Sequence, residues 1–169
     1  GRRATWLSPD KITITPIKTE RLTELENHLM LFFTGFSRFA TQLAKIYVIS
    51  ARMQKEALSE LYSMVDIGKG ILEGSGDIKD FGKLLGEGWK VKRSLSKQIS
   101  TNFVDYIYET AIKSGAIGGK LVGAGGGGFL LLFVEPEKQG DVHEALHSLI
   151  QVPFKFENEG AKIIMGGVN

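Results

Sequence analysis

Eight of the fourteen residues from Gly115 to Gly128 are glycine, and this stretch, GAIGGKLVGAGGGG, runs directly into the apolar FLLLF of 129–133. Glycine is entropically costly to fix. A folded chain keeps such a density only where the backbone turns sharply or something must come very close to it. Gly123, Gly125 and Gly128 fit the dinucleotide spacing G-x-G-x-x-G, which needs a strand before the glycines and a helix after them. Hydrophobic patterning predicts the reverse, a helix before and a strand after, and this excludes a Rossmann turn. A Walker A loop fails as well. Leu121 follows Gly119-Lys120 where Ser or Thr is required, and Ser114 stands where the first glycine belongs. Consecutive glycines do leave backbone N–H groups able to converge on an anion, with Lys120 close by in sequence.

The rest of the chain predicts one α+β domain over 1–169. Lys11 to Ile17 alternates polar and β-branched residues, an edge strand interrupted by Pro16. Thr19 is placed to cap a short helix carrying Leu22, Leu25 and Leu29 on one side. His28 to Thr34 reads as a buried strand ended by Gly35. A long helix is expected from Phe39 to Met64, closed by the glycines of 68–76, with a second from Asp77 through Leu95 and a third over Phe103 to Ala111. Phe129 to Val134 reads as a strand. Pro136 opens a helix with Val142, Ala145, Leu146 and Leu149 inward, and strands at 152–157 and 161–165 flank a turn at 158–160. Because the helices are grouped, α+β is favoured over a doubly wound sheet.

Composition narrows the setting. A net charge of +2 gives no general nucleic-acid footprint. Zero cysteines exclude disulfides and thiolate metal sites. The apolar runs are too short for a bilayer, and GRRATWLSPD lacks the apolar core of a signal peptide. Neither a nucleic-acid nor a membrane partner is expected, and a cytoplasmic location follows by elimination. His143-Glu144-Ala145-Leu146-His147 is a literal H-E-x-x-H, which on a helix can hold zinc. At about 100° per residue both histidines project away from the Val142/Leu146 face, so a charged outer face is the plainer reading and a zinc peptidase a remote alternative. Lys90, Arg93 and Lys97 share a helical side that could clamp a phosphate, although solvated faces commonly look alike.

Together the residues Lys120-Leu121-Val122-Gly123-Ala124-Gly125-Gly126-Gly127-Gly128 resemble the third motif of the GHMP kinases, the superfamily of galactokinase, homoserine kinase and mevalonate kinase. Val122 stands where that motif often has Thr or Ser. The blocks LFFTGFSR at 31–38, WKVKRSLS at 89–96 and GAIGGK at 115–120 resemble the heptose 7-phosphate kinase branch. The resemblance implies a ferredoxin-like antiparallel sheet with extra helices packed on one side. It implies an ATP- and Mg²⁺-dependent, nucleotide-binding enzyme of carbohydrate metabolism, passing a γ-phosphoryl group to a sugar-phosphate hydroxyl. It assigns Gly123, Gly125, Gly126, Gly127 and Gly128 to the substrate and phosphate side of an interdomain cleft. Lys120, Ser37 and Arg38 become candidate substrate contacts, and Lys92 and Arg93 candidates for the phosphate already on the sugar. Such kinases run to roughly twice this length, a two-domain size, and nothing here resembles their Gly-Leu-Gly-Ser-Ser nucleotide motif. The expectation is therefore a C-terminal domain whose partner is its own N-terminal domain. ATP and Mg²⁺ would be bound mainly through that half, and no catalytic or metal-binding residue falls in 1–169. A non-catalytic binding module of the same fold is the alternative, and the oligomeric state, a homodimer included, is left open.

Overall fold

The computed structural model describes residues 3–8, 11–35, 55–96, 98–123 and 126–157. Strands β1 (Arg3–Ser8) and β2 (Lys11–Pro16) form an antiparallel two-stranded sheet. β1 was not legible in the sequence, and Pro16 ends β2, where a missing N–H does least harm. Helix α1 (Thr19–Asn27) begins at Thr19 itself, with Lys18 at the cap position and no side-chain cap. Leu22 and Leu25 are buried as expected, whereas Leu29 belongs to the next strand, β3 (Leu29–Phe33).

Helix α2 (Lys55–Glu73) continues through Gly68 and Gly70 and stops at Gly74. It thus closes within the glycines of 68–76, as expected, although Gly68 and Gly70 themselves remain helical. Gly68 faces α3 (Lys79–Ser94), where an added Cβ would sit 3.3 Å from Leu84, so it sets interhelical distance and does not break the helix. Arg21 of α1 is buried and donates to the Ile71 carbonyl at 3.2 and 2.7 Å. This satisfies an acceptor in the last turn of α2, where carbonyls lack helical partners. Asp77 accepts the Lys79 amide at the start of α3, and Thr101 caps α4 (Asn102–Lys113) by accepting from Val104. The expected long helix falls on undescribed residues up to 54, and the expected strand at 161–165 with its turn also lies outside the described residues.

Among the described residues four strands form the main sheet: β3, β4 (Ala116–Val122), β5 (Phe129–Val134) and β6 (Ile150–Gln151). Their order is β4-β5-β3-β6 and every pairing is antiparallel. In chain order this is the 4-1-3-2 arrangement of a ferredoxin-like unit, with α2 to α4 in the first crossover and α5 (Gln139–Ala145) in the second. β4 changes the reading of the glycine stretch. Gly115 to Val122 is not loop but turn and strand, and the glycine loop of 123–128 joins two strands. The dinucleotide reading still fails, because no helix follows. The strand expected at 152–157 does not form; β6 covers only the two residues before it, Ile150–Gln151. Val152 still donates to Leu31, but Pro153 has no N–H to continue a ladder.

Met30 and Phe32 of β3, with Leu130, Leu132 and Val134 of β5, point to one face and meet Val104, Ile107 and Ala111 of α4, Val142 of α5, and Trp89. Phe133 alternates to the other face and packs with Leu25 and Ile78, beside Phe81 and Leu85. The extra helices thus close a second, smaller core, where cover on one side was expected. Helix α3 lies against β4 because both surfaces are bare. A Cβ on Gly118 would strike the Gly82 carbonyl and come within 3.0 Å of the Gly86 nitrogen, and one on Gly82 would meet the Phe133 ring at 2.5 Å. No helix among the described residues is long and apolar enough to cross a membrane.

Gly118→Ala is expected to lower stability by about 1–3 kcal/mol, the usual cost of overpacking. Gly140→Ala, which adds its methyl in open space on α5, should raise stability by about 0.5–1 kcal/mol. Urea midpoints measure both, and an unchanged midpoint for Gly118→Ala would mean that α3 can retreat from β4 at no cost.

Candidate functional site

The glycine loop is pinned from two sides. The Gly126 N–H donates to the Ile99 carbonyl at 2.9 Å, tying the loop to the segment before α4. The Gly128 N–H donates to Thr34 Oγ1 at 2.9 Å, while the Thr34 hydroxyl and amide donate back to the Gly128 carbonyl at 3.0 and 2.9 Å. Thr34 is 2% exposed, so this small network is shielded from water. Gly126 and Gly128 take φ of 76° and 110°, a region that side-chain-bearing residues rarely enter. The amides of Gly126 and Gly128, expected to converge on an anion, are directed into the protein in this arrangement and set the shape of the loop. Gly127 is buried and Gly123 exposed; Gly125 lies outside the described residues, as do Ser37 and Arg38.

The cations divide into two groups. Lys120 sits in β4 opposite Leu131. Lys92, in the last turn of α3, donates from Nζ to the Gly123 carbonyl at 2.8 Å. Both line a groove of about 490 Å³ between α2 and α3. Burial, and secondarily the Lys120 charge, push the Lys92 ammonium below the ordinary lysine range. Nothing covalent or acid–base is built here; what the pair offers is positive charge on the flank of a glycine loop, suited to oxyanions.

Arg93 faces away from that pair. Its Nη2 lies 2.9 Å from Asp105 Oδ2, and Ser100 Oγ donates to Asp105 Oδ1 at 2.5 Å. With Lys90, Ser94, Ser96 and Asn102 these groups line a separate polar basin of about 570 Å³. The structure therefore does not bring Lys92 and Arg93 to one point, as neighbours about 100° apart on a helix should not. Lys90 and Arg93 do share a side, as expected, and Lys97 lies outside the described residues. Sequence reasoning missed Thr34 as the partner of the loop; its signal was a lone hydroxyl residue between an apolar run and Gly35.

The H-E-x-x-H segment does not form a metal site. α5 ends at Ala145, so His147 lies beyond the helix on which both histidines were to share a face. His143 Nδ1 contacts Gln151 Oε1 at 2.7 Å and His147 Nδ1 the Glu144 carbonyl at 2.9 Å, both in exposed positions. His28, the third histidine, occupies the turn before β3, contacts the Glu24 carbonyl and stacks on Phe133. No group of three metal-capable side chains occurs among the described residues.

A ferredoxin-like sheet whose hairpin carries KLVGAGGGG, with lysines on its flank, defines a class. The family model for the GHMP kinases C terminal domain matches residues 57–150, and the chain belongs to that family. It is 28% identical over 159 residues to D-glycero-alpha-D-manno-heptose 7-phosphate kinase of Campylobacter jejuni, covering 90% of this chain and 46% of that protein. It is 29% identical over 157 residues to a bifunctional fucokinase/GDP-fucose pyrophosphorylase of Arabidopsis thaliana, covering 89% of this chain and 15% of that one. The structure of L. major mevalonate kinase in complex with R-mevalonate superposes with a TM-score of 0.68 at 18% identity, over 88% of this chain and 47% of that one, which shows the fold. The chain thus spans less than half the length of the curated relatives it matches.

Lys120→Met should return the Lys92 pKa part of the way towards the ordinary lysine value. The return stays partial because burial, the larger cause, remains. Side-chain NMR titration of Lys92 measures this, and an unmoved pKa would separate the two lysines electrostatically.

Proposed function

We propose that the chain is the C-terminal part of an ATP-dependent sugar kinase, one that passes the γ-phosphoryl group to a hydroxyl of a sugar phosphate resembling heptose 7-phosphate. The observation that carries this reading is the family match over 57–150 around a pinned, glycine-rich hairpin with Lys120 and Lys92 beside it. The heptose phosphate and fucose kinases among its relatives support a sugar acceptor.

Phosphoryl transfer depends mainly on positioning and on stabilising charge. In this reading the loop lets a substrate approach the backbone closely, and Lys120 and Lys92 hold its anionic oxygens. The cations fit nucleotide or sugar phosphate; the described residues offer no carboxylate cluster suited to Mg²⁺. Mg²⁺ would neutralise charge on the transferring phosphates and is expected to be held with the nucleotide by the other half of the site. A Gly-Leu-Gly-Ser-Ser nucleotide motif and a catalytic base are expected there, in the N-terminal domain of a longer protein.

The test is ATP-dependent phosphorylation of heptose 7-phosphate, followed by ADP release, in a longer protein that contains this chain. The 169-residue chain alone is expected to be inactive. In the longer protein Gly126→Val should cut kcat by about 100-fold, because displacing a positioning element by about an ångström costs that much. Full activity of that variant, or no sugar phosphorylation by the parent protein, would favour a non-catalytic binding module of the same fold.

A further inference from the structure

We propose that the groove between α2 and α3 binds an amphipathic oxyanion, a ligand with a carboxylate or phosphate head and an aliphatic tail. Its volume of about 490 Å³ falls in the range of roughly 300–1,000 Å³ typical of small-molecule sites. The walls are apolar side chains of the two helices, Leu61, Met64, Leu84 and Leu85 among them. A sugar phosphate is poorly matched to such walls, since each hydroxyl laid against them would lose its hydrogen bonds to water. An aliphatic chain gains from every methylene it buries there.

The polar side chains lining the groove, among the described residues, are Lys92, Lys120 and Trp89. The two ammonium groups repel one another, and an oxyanion placed between them turns that repulsion into attraction on both sides. Trp89 supplies an independent sign. It is 1% exposed, and its indole N–H is buried with no hydrogen-bond partner. Buried donors are nearly always paired, and an oxyanion head that enters past the side chains now shielding the indole would provide the missing acceptor. Because Lys92 also reaches Gly123, such a ligand would compete for the charge beside the glycine loop. Binding itself does not depend on the kinase reading, so the two can fail separately.

The experiment follows the indole ¹⁵N–H signals of the chain, with Trp6 as internal reference. Decanoate, octyl phosphate, 1-decanol and inorganic phosphate are the probes, each below its micelle concentration where it has one. Decanoate and octyl phosphate should shift the Trp89 signal saturably and leave Trp6 in place. Affinity should rise about fourfold for each methylene added from octanoate to decanoate. Lys92→Met and Lys120→Met should each weaken decanoate binding at least about tenfold, the scale of one charge-assisted hydrogen bond. The proposal is overturned if no probe binds saturably, if 1-decanol binds as tightly as decanoate, or if inorganic phosphate alone binds as tightly as octyl phosphate. Unchanged affinity in both lysine variants would overturn it as well. So would loss of decanoate binding in a longer protein carrying the chain, which would make the groove an internal contact.

Discussion

Much of this structure depends on the contact between α3 and β4, made by backbone against backbone. Gly82 and Gly86 on the helix face Gly118 on the strand, and no side chain could be added at Gly82 or Gly118 without collision. That approach places the end of α3 next to the end of β4. Lys92 then reaches the Gly123 carbonyl, and Lys120 comes near enough to disfavour its charge. The same approach lets Phe133 pack beneath Gly82 and seals the second core. A change that widens the contact should therefore be felt first at the site, about three helical turns further along α3.

The glycine loop illustrates a division of labour within a single run of one residue type. Gly118 and Gly119 belong to a strand and are small because neighbours press on them. Gly126 and Gly128 belong to the loop and are glycine because their φ values demand it. Their amides hold the loop to Ile99 and Thr34, giving it a fixed shape before any ligand arrives. Positive charge comes from elsewhere, from lysines on α3 and β4. A preorganised loop beside two ammonium groups is an arrangement in which oxyanions are stabilised with little reorganisation.

The α+β class, the strands at 29–33 and 129–134, and the helix carrying Trp89 were legible because hydrophobic period and caps spoke together. β4 was hidden by its own composition: glycine and alanine at 116, 118 and 119 carry almost no strand signal. Its strand character comes from pairing with β5, a tertiary effect. α2 closes within the glycines of 68–76 but runs past Gly68, which serves packing, and a glycine meant for packing looks the same in sequence as one meant to stop a helix. Lys92 and Arg93 look like one cluster in the sequence; adjacency there does not reveal that Asp105, twelve residues later, draws Arg93 to a different basin. The histidines of HEALH failed for a local reason, the helix ending one turn too soon.

The central proposal is that the α3–β4 contact assembles the cationic flank of a site that serves phosphoryl transfer in a longer protein. The most direct measurement is a crystal structure of a longer protein containing this chain, bound to heptose 7-phosphate and a non-hydrolysable ATP analogue. Phosphate oxygens are expected within hydrogen-bonding distance of Lys92 or Lys120, alongside the loop of 123–128. Both ligands lying clear of those residues, with the loop facing bulk solvent, would contradict it.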